Sequence, residues 1–257
     1  LIHTSNLYSI PHQDALGERL CALSGLEQVF FANSGAEANE AAIKLTRLYG
    51  HHQGIQAPEI IVTDNAFHGR TLGALAATGN SKAQTGFGPM PAGFVRVPYN
   101  DAKAVARAAT ERTVAIFVEP IQGEGGIVIP DDDYLPALRE LADAHDWLLM
   151  ADEVQAGVGR TGRWFGHQHA GITPDVITLA KALANGVPIG ACLAGGKAHG
   201  VLGPGSHGTT FGGNPLATRA ALSVLDVIES DHLLERAEAL GERIIGGFFQ
   251  ALPGVGG

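Results

Sequence analysis

The sequence predicts an α/β fold built on a mostly parallel, seven-stranded sheet sandwiched by helices. Three observations carry this expectation. Seven apolar runs, most of them rich in β-branched or aromatic residues, recur at 29–31, 60–63, 94–97, 114–118, 147–151, 176–180 and 191–194. Segments with helical apolar spacing lie between several of them, at 36–49, 102–109, 134–145 and 215–228. Strands that alternate with helices favour a parallel sheet buried on both faces. Finally, the 35 glycines concentrate in loops after strands, where α/β proteins place their sites.

Composition narrows the function classes. The 257 residues are 45% apolar and carry a net charge of −9, with no basic block, so neither nucleic acid nor an anionic membrane is suggested as a partner. No apolar run approaches the roughly 20 residues that span a bilayer. Cys21 and Cys192 lack metal or redox spacing and read as reduced thiols of a cytoplasmic protein. The chain opens "LIHTSNLY" without a Met and closes "ALPGVGG" just past a helical segment, which reads as the middle of a longer protein. That last segment, 233–252, follows a break at Ser230 and Asp231. It divides the chain into a large domain over 1–230 and the start of a smaller one over 231–257.

Five stretches could carry chemistry. In "VFFANSGAEANEAAIKLTRLYG" an apolar strand runs through a small-residue turn into a strong helix. Ser34 is placed to cap it with Glu37 as the second half of a capping box, and Gly50 suits its C-terminal end. Free N–H groups and the helix dipole make such a start an anion site, although a plain capped helix fits equally. In "DNAFHGRTLG" Phe67 could stack on a planar ligand and Arg70 could clamp a carboxylate, or they could be a core aromatic and a solvated cation. In "FVEPIQGEGG" Glu119 and Glu124 bracket a turn and could act as an acid–base pair. In "WLLMADEVQAG" Asp152 ends a buried strand and needs a cationic or N–H partner. No metal is expected, because His167 and His169 have no companion ligand motif. In "GSHGTTFGGNPLA" two threonines precede a helix begun by Pro215.

The fold's remaining oddity is Lys181, alone between the apolar runs of "DVITLAKALANGVPIGACLAGG". A buried ammonium is costly unless paired or discharged, and a lysine snorkelling from a strand end is the plain alternative. The chain order supplies a reason for it: anion cradle, aromatic, buried aspartate, then lysine. Together they are handles for pyridoxal phosphate: the cradle for the phosphate, Phe67 for the ring face, Asp152 for the ring nitrogen and Lys181 for the aldehyde in an enclosed site.

The motifs "HTSNLY", "NSGAEANEAAIK", "FHGRT", "EPIQGEGG", "ADEVQAGVGRTG", "LAKALANGVPIGA" and "HGTTFGGNPLA" run the length of the chain. With them the sequence closely resembles the class III, ornithine-type, pyridoxal-phosphate aminotransferases of fold type I, and among these the acetylornithine-type members. The resemblance implies the large domain of that fold, with the small C-terminal domain largely missing. It implies Ser34, Gly35 and Ala36 at the phosphate, where many relatives have Thr in place of Ala36. It further implies Phe67 on the pyridine ring, Asp152 at the ring nitrogen, Gln155 near the ring hydroxyl and Lys181 as Schiff-base lysine and proton carrier. Arg70 resembles the residue that holds a substrate carboxylate.

Glu124 resembles a switch carboxylate that pairs with an arginine; Arg236 and Arg243 sit too early to be that arginine, which is expected beyond residue 257. Thr210 resembles a threonine that reaches the phosphate of the partner subunit, which implies a homodimer with shared active sites. The implied reaction exchanges the amino group of N2-acetylornithine with 2-oxoglutarate in the cytoplasm. Succinylornithine, ornithine, 4-aminobutyrate or lysine are alternative donors. An aminomutase, a decarboxylating enzyme and a non-catalytic cofactor-binding module are the readings from other classes.

Overall fold

The computed structural model describes residues 1–5 and 7–249. Its centre is one seven-stranded sheet: β1 (Gln28–Ala32), β2 (Glu59–Thr63), β3 (Phe94–Val97), β4 (Thr113–Val118), β5 (Leu148–Asp152), β6 (Val176–Leu179) and β7 (Gly190–Ala194). The strands lie in the order β1-β7-β6-β5-β4-β2-β3. Pairings along β6-β5-β4-β2-β3 are parallel, and β7 alone runs antiparallel to both its neighbours. The expected sheet is therefore present with one reversed strand.

The reversal has a consequence. β1 to β6 all end at the same edge, and β7 begins there. Six strand exits and one strand entry meet along one line, which is where ligands bind in open α/β sheets.

Alternation sorts the strand side chains onto two covered faces. Ile60, Val62, Phe117, Leu148, Met150 and Val176 pack with Ala41, Ala42, Ile43, Leu45 and Tyr49 of α2 (Gly35–His52). Ile61, Ile116, Val118 and Leu149 point the other way, onto Val105 of α5 (Ala102–Ala108) and Leu135, Leu138 and Ala142 of α6 (Tyr134–Ala144). On that second face, Ile177, Leu179, Ala191 and Leu193 meet Leu16 and Leu20 of α1 (Pro11–Ser24) and Ala221, Leu222 and Leu225 of α7 (Pro215–Ser230). Two short helices, α3 (Leu72–Ala77) and α4 (Ser81–Gln84), follow β2.

Gly50 does not end α2. The helix continues to His52 with Gln53 as its cap, and Gly50 serves packing instead. A Cβ there would lie 2.7 Å from Pro58 and 2.9 Å from Val114. The break expected at Ser230 and Asp231 is present: α7 ends at Ser230, and His232 takes a left-handed φ of 52° before α8 (Leu233–Arg243). A π-helical stretch, Ile244–Phe249, follows, and the last residues of the expected 233–252 helix lie outside the described residues. No helix among the described residues is long and apolar enough to cross a membrane.

Candidate active site

A cavity of about 440 Å³ opens at the convergent edge. Ser34, Gly35, Ala36, Phe67, Arg70, Asp152, Gln155 and Lys181 all line it. Eight residues expected from sequence at separate strand ends are thus brought together, because the strands that deliver them are parallel. The segment that leads into β7, including Gly186, Val187, Pro188 and Ile189, closes another wall.

The cradle forms at the start of α2. Ser34 Oγ accepts from the Glu37 N–H at 3.2 Å. Glu37 Oε2 reaches back to the Asn33 N–H at 2.8 Å, one residue before the position a standard capping box uses. First-turn N–H groups have no carbonyl one turn back, so those of Gly35 and Ala36 are available to an anion. Gly35 is needed for closeness: a Cβ there would sit 2.8 Å from Val154 Cγ1.

Asp152 ends β5 and is 3% exposed. Its Oδ2 accepts from Asn39 Nδ2 and His68 Nδ1, both at 2.8 Å, and its Oδ1 accepts from the Val154 N–H at 3.0 Å. The carboxylate expected to need a partner thus has three, none of them a full-time cation. Neither Asn39 nor His68 was assigned a role from sequence. His68 stood inside the quoted "FHGRT", and Asn39 is a polar residue on the buried stripe of α2.

Phe67 is half-buried, and the Arg70 guanidinium lies 5.5 Å from its ring centroid. Behind Phe67 is Glu119, whose Oε2 accepts the Phe67 N–H at 3.0 Å. Burial pushes the Glu119 carboxyl up to about 7, with the Asp152 charge adding to the rise. The N–H groups of Phe67 and Gly123 oppose it, as a charged His68 would.

Lys181 departs from expectation in one respect. The runs before and after it are buried, but the lysine itself is exposed rather than enclosed. Its backbone is also unusual: Lys181 has φ 44°, a left-handed conformation that bulky L-residues adopt rarely. Its Nζ donates to Gln155 Oε1 at 3.2 Å.

The structure also separates some of the candidates. Glu124 is exposed and does not line the cavity, so Glu119 and Glu124 form no acid–base pair there. It sits on the loop closed by a bridge between Gln122 and Val128. Thr210 is exposed and lines a different cleft, with Phe30, Asn33, Glu37 and His207.

These features define a small-molecule site with an anion cradle, an aromatic wall, a buried carboxylate and an accessible amine. Residues 1–251 match the family described as aminotransferase class-III, and the chain belongs to that family. It is 60% identical over 243 residues to the acetylornithine aminotransferase of Nitrosomonas europaea, covering 94% of this chain and 62% of the relative. Against acetylornithine aminotransferase 1 of Bordetella parapertussis it is 56% identical, covering 100% of this chain and 66% of the relative. The crystal structure of the ornithine aminotransferase of Toxoplasma gondii ME49 superposes with a TM-score of 0.94 at 35% identity, covering 98% of this chain and 61% of that one. A second structure of the Toxoplasma gondii enzyme, with a TM-score of 0.93 at 34% identity over 98% of this chain and 61% of its own, is described as having partial occupancy of pyridoxal phosphate at its active site. The chain therefore spans about three-fifths to two-thirds of the length of the relatives it matches.

Class III aminotransferases depend on pyridoxal phosphate, and the donor set here fits that group. It offers N–H donors for a phosphate, a carboxylate for a ring nitrogen, an aromatic face and a primary amine, all on one cavity.

Proposed function

We propose that this chain is the cofactor-binding portion of an acetylornithine aminotransferase. The reaction exchanges the amino group of N2-acetylornithine with 2-oxoglutarate, giving N-acetylglutamate 5-semialdehyde and glutamate, a step of arginine biosynthesis in the cytoplasm. The observation that carries it is Lys181 Nζ facing the same cavity as the Asp152 carboxylate and the α2 N-terminus. The identity of 52–60% to acetylornithine aminotransferases supports the choice of donor.

When bound, pyridoxal phosphate supplies a carbonyl that condenses with amines and a ring that accepts electron density from a breaking C–H bond. The chain's own residues do the rest. Ser34 and the N–H groups of Gly35 and Ala36 bind the phosphate, and Phe67 lies against the ring. Asp152 accepts a hydrogen bond from the ring nitrogen and favours its protonated form. Gln155 holds Lys181 Nζ and stands near the ring hydroxyl. Lys181 Nζ would hold the carbonyl of the bound group and, when free, would take a proton from the substrate carbon and return it.

Arg70 binds a substrate carboxylate. Glu124, on its exposed loop, pairs with an arginine outside this chain when the acylated donor is bound. Thr210, outside the cavity of its own chain, serves the phosphate of a second copy, making a homodimer with shared sites. Residues 231–257 begin the small domain.

Steady-state kinetics of the full-length protein with a panel of amino donors test the reading. The highest kcat/KM is expected for N2-acetylornithine. A higher value for ornithine or 4-aminobutyrate would reassign the donor, and no turnover with any donor would refute the activity.

A further inference from the structure

His68 is held at both its backbone and its ring, and the proposed reaction gives it nothing to do. Its backbone N–H donates to Thr78 Oγ1 at 3.0 Å, and its carbonyl accepts from Asn39 Nδ2 at 2.6 Å. Its ring stacks on Phe117, with centroids 4.0 Å apart and planes at 16°. Backbone and ring plane are thus both fixed, and the one remaining degree of freedom leaves Nδ1 aimed at Asp152 Oδ2.

The hydrogen-bond pattern then selects a tautomer. Asp152 Oδ2 accepts, so the proton sits on Nδ1. Nε2 is buried and has no partner among the described residues. A second proton there would be a buried donor with no acceptor, which costs more than an idle lone pair. Asn39 contributes alongside: its Nδ2 bonds both the His68 carbonyl and Asp152.

We propose that His68, supported by Asn39, is a positioning residue that aims the Asp152 carboxylate at the ring nitrogen of the cofactor, acting as a neutral imidazole with its proton on Nδ1. The proposal rests on the cofactor reading given above. The logic is that of an outer contact that fixes an inner ligand. Two oriented donors on Oδ2 and one on Oδ1 leave the carboxylate no rotation about its last bond, and they leave lone-pair capacity on the side that lines the cavity. A neutral donor orients Asp152 without competing for its charge, so the ring nitrogen remains its only cationic partner.

Two variants of the full-length protein separate positioning from packing. His68→Phe keeps an aromatic ring on Phe117 and removes the donor. His68→Asn loses the stack but restores a short N–H donor. With His68→Phe, kcat is expected to fall by at least about 10-fold while KM for the amino donor changes by less than about 3-fold. The 15N resonance of labelled pyridoxal phosphate bound to that variant is expected to move toward the unprotonated ring. His68→Asn is expected to recover most of both losses. In the cofactor-free wild type, histidine 15N spectra are expected to show His68 protonated at Nδ1 only. Wild-type kcat and an unmoved ring resonance in His68→Phe would overturn the proposal. So would a proton on Nε2, or a His68→Asn variant as impaired as His68→Phe. A wild-type protein that takes up no pyridoxal phosphate would instead refute the cofactor reading, and the histidine spectra would still decide the tautomer.

Discussion

Lys181 Nζ donates to the side-chain oxygen of Gln155 across 3.2 Å, joining the loop after β6 to the loop after β5. Gly123, from the loop after β4, lies so close to the Gln155 amide that a Cβ there would overlap it. Three strand exits thus fix one amine. Removing the acceptor should loosen the amine without removing it. Gln155→Ala is expected to weaken pyridoxal phosphate binding by about 10–150-fold, the worth of one charge-assisted hydrogen bond. Equilibrium dialysis checks this, and unchanged affinity would give Gln155 no part in the site.

Arg70 has its guanidinium near the Phe67 ring and is otherwise exposed to the cavity. If it binds a substrate carboxylate, Arg70→Ala should raise KM for the amino donor by about 10–100-fold, with a smaller change in kcat. Arg70→Lys should recover little, because a point charge does not reproduce the bidentate fork. Equal effects on donors with and without the carboxylate would contradict the assignment.

Glu119 gives a pH prediction. Burial pushes its carboxyl from 4.5 up to about 7. Between those values the folded protein keeps a proton that the unfolded chain has released. Stability from this group therefore falls as pH rises through that window, by on the order of 3 kcal/mol in all. Glu119→Gln keeps an oxygen for the Phe67 N–H and carries no charge. Its stability advantage over wild type should be larger at pH 8 than at pH 5, as read by urea denaturation at each pH. A gap that does not grow would place the titration elsewhere.

Asp152 and Glu153 are adjacent and both buried, but they serve different ends. Glu153 Oε1 accepts from His167 N–H and Nδ1, and Oε2 from the Gly166 N–H, each at 2.8 Å. Glu153→Ala leaves these donors unpaired and is expected to destabilise the fold by roughly 3 kcal/mol. Asp152→Asn should cost far less stability and nearly all turnover. Thermal denaturation and activity assays on the two variants test the division, which the reverse pattern would contradict.

Much of this arrangement was legible in the sequence, and the reasons are physical. Strands such as β4 are buried on both faces, so they read as continuous apolar runs bounded by polar turns. The cradle was legible because helix caps use few residue types, and Ser34 with Glu37 is one such pair. The direction of β7 was not legible, since neither propensity nor periodicity encodes strand sense. Gly50 was misread because a glycine at a helix end and a glycine under a close neighbour look alike in sequence. The exposure of Lys181 was not legible, since apolar neighbours along the chain do not say where a side chain at a strand end points. His68 and Asn39 were invisible as Asp152 partners: 84 and 113 residues separate them from it, and only the sheet order brings them together.

In the proposed reaction Lys181 is the residue that joins covalently to pyridoxal phosphate. The most direct measurement is to incubate the full-length protein with pyridoxal phosphate, reduce with borohydride, digest, and locate the modified peptide by mass spectrometry. One stoichiometric pyridoxyl label is expected on Lys181. Lys181→Ala is expected to lose that label and the visible absorbance of the bound cofactor, with turnover falling by about 10²–10⁴-fold or more. A label on another lysine such as Lys44 or Lys197, or an unchanged label in Lys181→Ala, would contradict it.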